Sequence, residues 1–176
     1  MNKKNIRWAI KTLLLSISLS MLFSVICQSL LPNLSILMSI FLILIFITIS
    51  ILFDMISVAV TSAKLEYIEK FKNKRGFITA KKLIENTEKV SSFCGDVVGD
   101  ICGIISGAGG VSLTLNLQIS NLNIYFLTTC LVSSLIAGTT IFGKAIMKRY
   151  AVENSVKVVM FVAKMFEPNI FQKNLK

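Results

Sequence analysis

Long stretches without charged side chains constrain this chain more than any other feature of its sequence. Residues 12–63 contain one charged residue, Asp54, and residues 90–143 contain only Asp96 and Asp100. A hydrocarbon core about 30 Å thick is crossed by roughly 20 apolar residues in a helix, which rises about 1.5 Å per residue. Because each stretch is long enough for two crossings, the sequence predicts an all-α integral membrane protein with four hydrophobic helical segments.

Turn-forming and polar sequences separate these segments. The turn signal Leu31-Pro32-Asn33 and the polar stretch 115–123 place the predicted spans at 8–31, 34–62, 90–111 and 124–147. The third span is rich in glycine, and its Gly109-Gly110 pair predicts a helix that bends or stops short inside the membrane.

Positive charge indicates the orientation of the spans. All 19 Lys and Arg residues lie before the first long stretch, in the segment 64–89, or from Lys144 onward. Short loops rich in Lys and Arg mark the cytoplasmic side, so we expect a multi-pass protein of the cell membrane with both termini in the cytoplasm. The net charge of +10 is then explained by topology and by anionic lipid headgroups, and nucleic acid is not an expected partner.

Three amphipathic helices are predicted on the cytoplasmic surface. Two lie in 64–89, where Leu65, Ile68 and Phe71 share one helical face before Gly76 interrupts the pattern. The third covers 148–166, and such apolar faces more often pack on the protein's own spans than on a partner. A short cytoplasmic tail, 167–176, follows.

Glycines recur every four residues in the third span. They are Gly95, Gly99, Gly103 and Gly107. Small residues at this spacing form a groove that another helix backbone can enter. The stripe predicts close helix packing, against either a helix of the same chain or one of a second chain.

Three carboxylates within the apolar stretches need a partner or water. An acidic side chain at the centre of a spanning helix costs about 2.5 to 3.5 kcal/mol. One interpretation is a divalent-cation site, in which Asp54, Asp96, Asp100 and Ser57 supply the oxygen ligands that hard cations prefer. The other is that Lys144 pairs with one aspartate while the others lie in headgroup water. On that second interpretation, Lys144→Met alone is expected to destabilise the protein by leaving an acid unpaired.

Three short motifs, in order along the chain, resemble the transmembrane domain of the cyclin-M and CorC family of magnesium transporters. The sequence from Phe53 to Lys64 is similar to the end of a span in that family, Phe-x-x-x-Glu-x-Ala-Leu-x-Ser followed by basic residues. The segment Asn86–Ser92 is similar to Asn-Pro-x-x-Leu-Leu-Ser-Thr, and Gly143–Ala151 to Gly-Glu-x-x-Pro-Lys-x-x-Ala. The resemblance divides the chain into an N-terminal span, 1–33, and a family-like transmembrane domain, 34–166.

This resemblance implies a homodimer and Mg²⁺ as the bound ion. The chain departs from the family pattern where a bound cation needs negative charge: Ser57 and Lys144 stand where the family has glutamates, and Met147 stands in place of a proline. An ammonium in place of a carboxylate weakens a cation site by like-charge repulsion. The resemblance does not extend to the pair of regulatory nucleotide-binding modules that commonly follows in the family.

Two functions follow from these patterns. The first is a divergent transporter or binder of a divalent cation, resembling the family. The second is a non-transporting membrane interaction or regulatory protein in which Lys144 replaces the ion. An enzyme is not expected, because the chain has no histidine and no nucleophile motif or phosphate-binding loop.

Overall fold

The computed structural model describes residues 3–30 and 34–166. Within these ranges the chain forms helices joined by turns and short irregular segments, without strands. Its elements are α1 (Lys3–Leu30), α2 (Ile36–Ser62), α3 (Leu65–Glu69), α4 (Phe77–Glu85), α5 (Thr87–Ser91), a π-helical segment (Ser92–Gly99), α6 (Asp100–Leu115), α7 (Leu122–Glu153) and α8 (Ser155–Phe166). The predicted turn at Pro32 and the predicted tail 167–176 lie outside the described residues.

Four helical stretches are long and apolar enough to cross a membrane. They are Ile10–Cys27, Ile36–Ser62, Thr87–Leu115 and Leu122–Glu153. The predicted class, an all-α multi-pass membrane protein, is confirmed. The third stretch is continuous from α5 through the π-helical segment into α6.

Polar residues cap the starts of two spans. The Ser35 side chain accepts a hydrogen bond from the Met38 N–H before α2. The Asn121 side chain accepts from the N–H groups of Asn123 and Ile124 before α7. The first N–H groups of a helix have no carbonyl partner within the helix, and these two side chains accept hydrogen bonds from them. Each of the two spans therefore begins directly after its polar capping residue.

Helix α2 lies at the centre of the bundle. It packs against α6, α7, α8 and the π-helical segment. Its buried face includes Ser39, Ile43, Ile47, Ser50 and Asp54, which recur at three or four residues. Helix α1 is peripheral and packs on the third span, where Cys27 is buried beside Val97 and Ile101. The small and polar residues on the buried face of α2 let neighbouring helices approach closely.

The amphipathic helices pack on the end of α2 that adjoins the basic segment 64–89, and we call this the basic end of the bundle. The cluster there joins Val60 of α2, Ile68 of α3 and Ala80 of α4 to Val159 and Ala163 of α8. The apolar stripes of these helices are therefore covered by the protein's own span.

Two features of the structure correct the sequence predictions. The third span does not break at Gly109-Gly110, because both glycines lie inside α6. Gly110 serves packing instead, since a Cβ there would lie 2.5 Å from Cδ1 of Ile136 on α7. The helix predicted over 148–166 is also wrong at its start: α7 continues to Glu153, and α8 begins at Ser155.

Candidate functional site

Five charged side chains lie at a similar depth in the bundle, and we call Asp54, Asp96, Asp100, Lys144 and Lys148 the polar layer. Asp54 is 18 residues from the start of α2 and Lys144 is 22 residues from the start of α7. At about 1.5 Å per residue these distances are about 27 Å and about 33 Å. A hydrocarbon core about 30 Å thick that begins with these two helices would end near the polar layer, where lysine side chains reach headgroups and water.

Asp54 forms an ion pair with Lys148. The distance from Asp54 Oδ2 to Lys148 Nζ is 3.2 Å, and the two side chains are 13% and 50% exposed, respectively. The same oxygen is buried and accepts no hydrogen bond of good geometry. The pair therefore consists of a buried carboxylate whose charge is balanced by an ammonium at the protein surface.

Asp100 forms the second ion pair, with Lys144. Lys144 Nζ donates to Asp100 Oδ1 at 3.0 Å. The burial is the reverse of that in the first pair, because the lysine side chain is 18% exposed and the aspartate 60%. This contact agrees with the interpretation in which Lys144 itself neutralises one aspartate.

The two lysines attach α7 to two different helices. They lie four residues apart, one helical turn, and Lys144 contacts the first residue of α6 while Lys148 contacts α2. Among the residues of α7, Thr140 and Ala151 are the ones that are buried. The two ion pairs therefore join the basic end of α7 to both α2 and α6.

Serines of α2 bond to both ends of the π-helical segment. Ser57 Oγ donates to the Ser91 carbonyl at 3.0 Å, and Ser50 Oγ donates to the Gly99 carbonyl at 2.5 Å. A π-helical turn is wider than an α-helical turn, and the junctions with α-helix disturb the regular backbone bonding. Ser57, predicted as a metal ligand, thus uses its proton on a backbone carbonyl.

The glycine stripe packs against α2 of the same chain over part of its length. A Cβ on Gly95 would lie 2.8 Å from Ser57 Oγ, and one on Gly103 would lie 3.3 Å from Ser50 Oγ. Gly99 is similarly close to the α2 backbone, whereas a Cβ on Gly107 would have no heavy atom within 4 Å. Within this chain the first three glycines therefore pack closely against α2, and Gly107 does not.

The acidic residues proposed from sequence as ligands of one cation are not brought together. Asp54 and Ser57 lie beside Gly95, between α2 and the π-helical segment. Asp96 and Asp100 are exposed, and in the part of the chain that the structure describes, no three or more acidic or cysteine residues form a group that could hold a metal ion. Because Asp54 and Asp100 each face an ammonium as well, this arrangement does not fit Mg²⁺, which requires convergent oxygen ligands.

Lys148 is the site residue that sequence reasoning missed. Its position one turn after Lys144 places both ammonium groups on one face of a helix, and this spacing is the sequence feature that indicates it. Its partner, Asp54, depends on how α7 is rotated against α2, and this rotation is not visible in the local sequence.

Comparisons with protein-family models, curated proteins and solved structures find no match to this chain. The likeness to the cyclin-M and CorC transmembrane domain therefore stays a resemblance that rests on the short motifs quoted above. The fold and the site define a class: an all-α multi-pass membrane protein with two lysine–aspartate ion pairs in its polar layer.

Proposed function

We propose that this chain is a non-enzymatic, non-transporting membrane interaction protein whose lysines take the place of a bound cation. The observation that carries the proposal is the pairing of Lys144 with Asp100 at 3.0 Å and of Lys148 with Asp54 at 3.2 Å. Two lysine ammonium groups of the chain itself form ion pairs with the carboxylates that a divalent ion would need as ligands. In this proposal the protein lies in the cell membrane with both termini in the cytoplasm.

The surface proposed for interaction is the exposed face of the third span. Asp96, Asp100, Ile104 and Ala108 recur every four residues on this face, and all four are exposed. Lipid tails cover the isoleucine and alanine well but provide no partner for the carboxylate of Asp96, which forms no ion pair with any described residue. A second copy of the chain is the proposed partner, because the polar layer presents both Asp96 and the half-exposed Lys148, and a two-fold contact requires a self-complementary surface.

A cation transporter or binder is the second candidate, and one observation favours it. Asp96 is exposed and forms no ion pair with any described residue. It is thus a free carboxylate at the edge of the apolar core, where a cation could approach.

Magnesium-dependent stability distinguishes the two functions. The detergent-purified protein, Asp96→Asn, Asp100→Asn and the control Glu66→Gln, an exposed acid of α3, are melted with and without MgCl₂. We expect the ion to leave all four melting temperatures unchanged, and liposomes containing the protein to take up no more Mg²⁺ than empty liposomes. A magnesium-dependent rise in the wild type and Glu66→Gln that is absent from the two aspartate variants would establish the cation function instead.

Cysteine cross-linking tests the proposed contact between copies. In a variant without the native cysteines, Ile104→Cys is compared with Phe142→Cys, whose side chain lies on α7 but not on the face of Lys148. The two native side chains are about equally exposed, at 67% and 68%. Oxidation is expected to link Ile104→Cys into dimers and to leave Phe142→Cys monomeric. Monomers of both variants, or dimers formed only by Phe142→Cys, would contradict the proposed face.

A further inference from the structure

A cavity at the basic end of the bundle collects positive charge beside apolar side chains. Its volume is about 270 Å³, and it lies between α8 and the turn that joins α3 to α4. Lys74, Lys157 and Lys164 line it together with aromatic and aliphatic side chains, among them Phe71 and Phe161. These three lysines are separate from the polar layer and take no part in the function proposed above.

The backbone of the turn brings these lysines together. Gly76 has a φ of 94°, which is in the left-handed region where a Cβ is strained, and a Cβ there would also lie 3.1 Å from the Lys164 backbone nitrogen. Glycine therefore allows the turn to pack directly on α8. This contact holds Lys74 of the turn opposite Lys157 and Lys164 of the helix.

No carboxylate among the described residues forms an ion pair with the three lysines. Lys157 Nζ donates to the Asn154 side-chain oxygen at 3.0 Å, and Lys74 Nζ lies 4.9 Å from the centre of the Phe71 ring. Both contacts are with neutral groups. Three ammonium groups around one cavity repel each other, and an anion within the cavity relieves that repulsion.

The apolar side chains indicate that the anion carries a hydrocarbon part. Phe161 is 66% exposed and lies between Lys157 and Lys164 on one face of α8, and Met165 and Phe166 at the end of that helix are also exposed. Helix α8 packs on the last turns of α2, where that span leaves the apolar core. Cations that surround an apolar surface next to a membrane boundary are typical of sites for anionic lipids.

We propose that this cavity binds the phosphate headgroup of an anionic phospholipid, with Lys74, Lys157 and Lys164 contacting the phosphate. Phe161 lies against the upper part of an acyl chain. The bound lipid links the turn and α8 to the membrane surface.

The test measures lipid retention by the full-length protein. Protein is reconstituted in phosphatidylcholine bilayers with and without phosphatidylglycerol, extracted mildly, and its bound lipid is quantified by native mass spectrometry. The pocket variant carries Lys74→Met, Lys157→Met and Lys164→Met. The control variant carries Lys64→Met, Lys82→Met and Lys89→Met, three exposed lysines outside the cavity, so that both variants lose the same charge.

We expect the wild type and the control variant to retain phosphatidylglycerol in preference to phosphatidylcholine. If each lysine that contacts the phosphate contributes about 1 kcal/mol, which is about fivefold in affinity, the pocket variant loses roughly two orders of magnitude, whereas the control lysines make no such contact. Retention by the pocket variant equal to that of the wild type, or equal losses in both triple variants, would overturn the proposed site. Circular dichroism establishes that the variants keep their helical content, and a pocket variant that does not fold is replaced by the three single lysine variants.

A further pair of measurements separates a lipid from a soluble phosphate. Phe161→Ser is expected to reduce retention of phosphatidylglycerol, because an exposed aromatic contact to the acyl chain is lost. Inorganic phosphate alone is expected to leave the melting temperature of the wild type unchanged, whereas phosphatidylglycerol raises it. Equal stabilisation by inorganic phosphate, together with unchanged retention in Phe161→Ser, would identify a free phosphate as the ligand and refute the lipid.

Discussion

Replacing Lys148 by methionine is the most informative single change in the polar layer. The substitution keeps the length and the apolar stem of the side chain but removes the ammonium that lies 3.2 Å from Asp54 Oδ2. The Asp54 side chain, 13% exposed, then holds a buried charge without a counter-ion. We therefore expect Lys148→Met to be more destabilising than Asp54→Asn, which leaves behind only a half-exposed lysine.

The size of this effect follows from the geometry. At 3.2 Å, Coulomb's law with an effective dielectric constant of about 20 gives an attraction of about 5 kcal/mol. The desolvation of both groups offsets part of this attraction, and solvent screens the exposed lysine. We expect a net loss of about 2 kcal/mol in the free energy of unfolding for Lys148→Met, and less than about 1 kcal/mol for Asp54→Asn.

The assay is reversible unfolding in mixed micelles with increasing SDS, followed by circular dichroism. A double-mutant cycle of Lys148→Met and Asp54→Asn isolates the interaction between the two side chains. The double variant is expected to recover most of the loss of Lys148→Met, because the buried charge has been removed with its partner. The matched control is Lys82→Met on α4, an exposed lysine that forms no ion pair with any described residue, and this change should leave stability unchanged.

Two results would refute this reasoning. A Lys148→Met variant as stable as Lys82→Met would mean that the Asp54 carboxylate needs no counter-ion. A double variant that loses the sum of the two single losses would mean that the side chains do not interact, whatever their distance.

The remaining predictions concern the other ion pair, the glycine stripe and the topology. Lys144→Met should lower the free energy of unfolding by less than about 1 kcal/mol, because its partner Asp100 is 60% exposed and water solvates the remaining charge. A loss as large as that of Lys148→Met in the same assay would contradict this ranking. Gly95→Ala should cost about 1–3 kcal/mol because its Cβ would lie 2.8 Å from Ser57 Oγ. A Cβ at Gly107 would have no heavy atom within 4 Å, so Gly107→Ala should be neutral or stabilise the protein by up to about 1 kcal/mol. Equal effects of Gly95→Ala and Gly107→Ala would show that the glycine contacts do not determine stability. In sealed cells expressing variants without native cysteines, Asn121→Cys should react with an impermeant maleimide and Asn73→Cys should not; labelling of Asn73→Cys would reject the proposed orientation.

The local sequence determines where this chain crosses the membrane. A span requires about 20 consecutive apolar residues, which is a property of neighbouring residues, and for this reason the four predicted spans agree with the four apolar helical stretches. The amphipathic stripe of Leu65 and Ile68 likewise depends on residues within one helix, and α3 forms there. The four-residue spacing of Gly95, Gly99 and Gly103 indicates close packing without reference to any partner helix.

The packing of the helices against one another determines which charges meet and which glycines lie against a neighbour. The pairing of Asp54 with Lys148 depends on the rotation and depth of α7 against α2, and the π-helical segment changes the direction of side chains between Ser92 and Gly99. Such contacts join helices far apart in sequence, and local pattern holds no information about their relative rotation. For the same physical reason Gly110 could not be distinguished from a helix break: only the position of Ile136 on α7 shows that the missing side chain makes room for a neighbour.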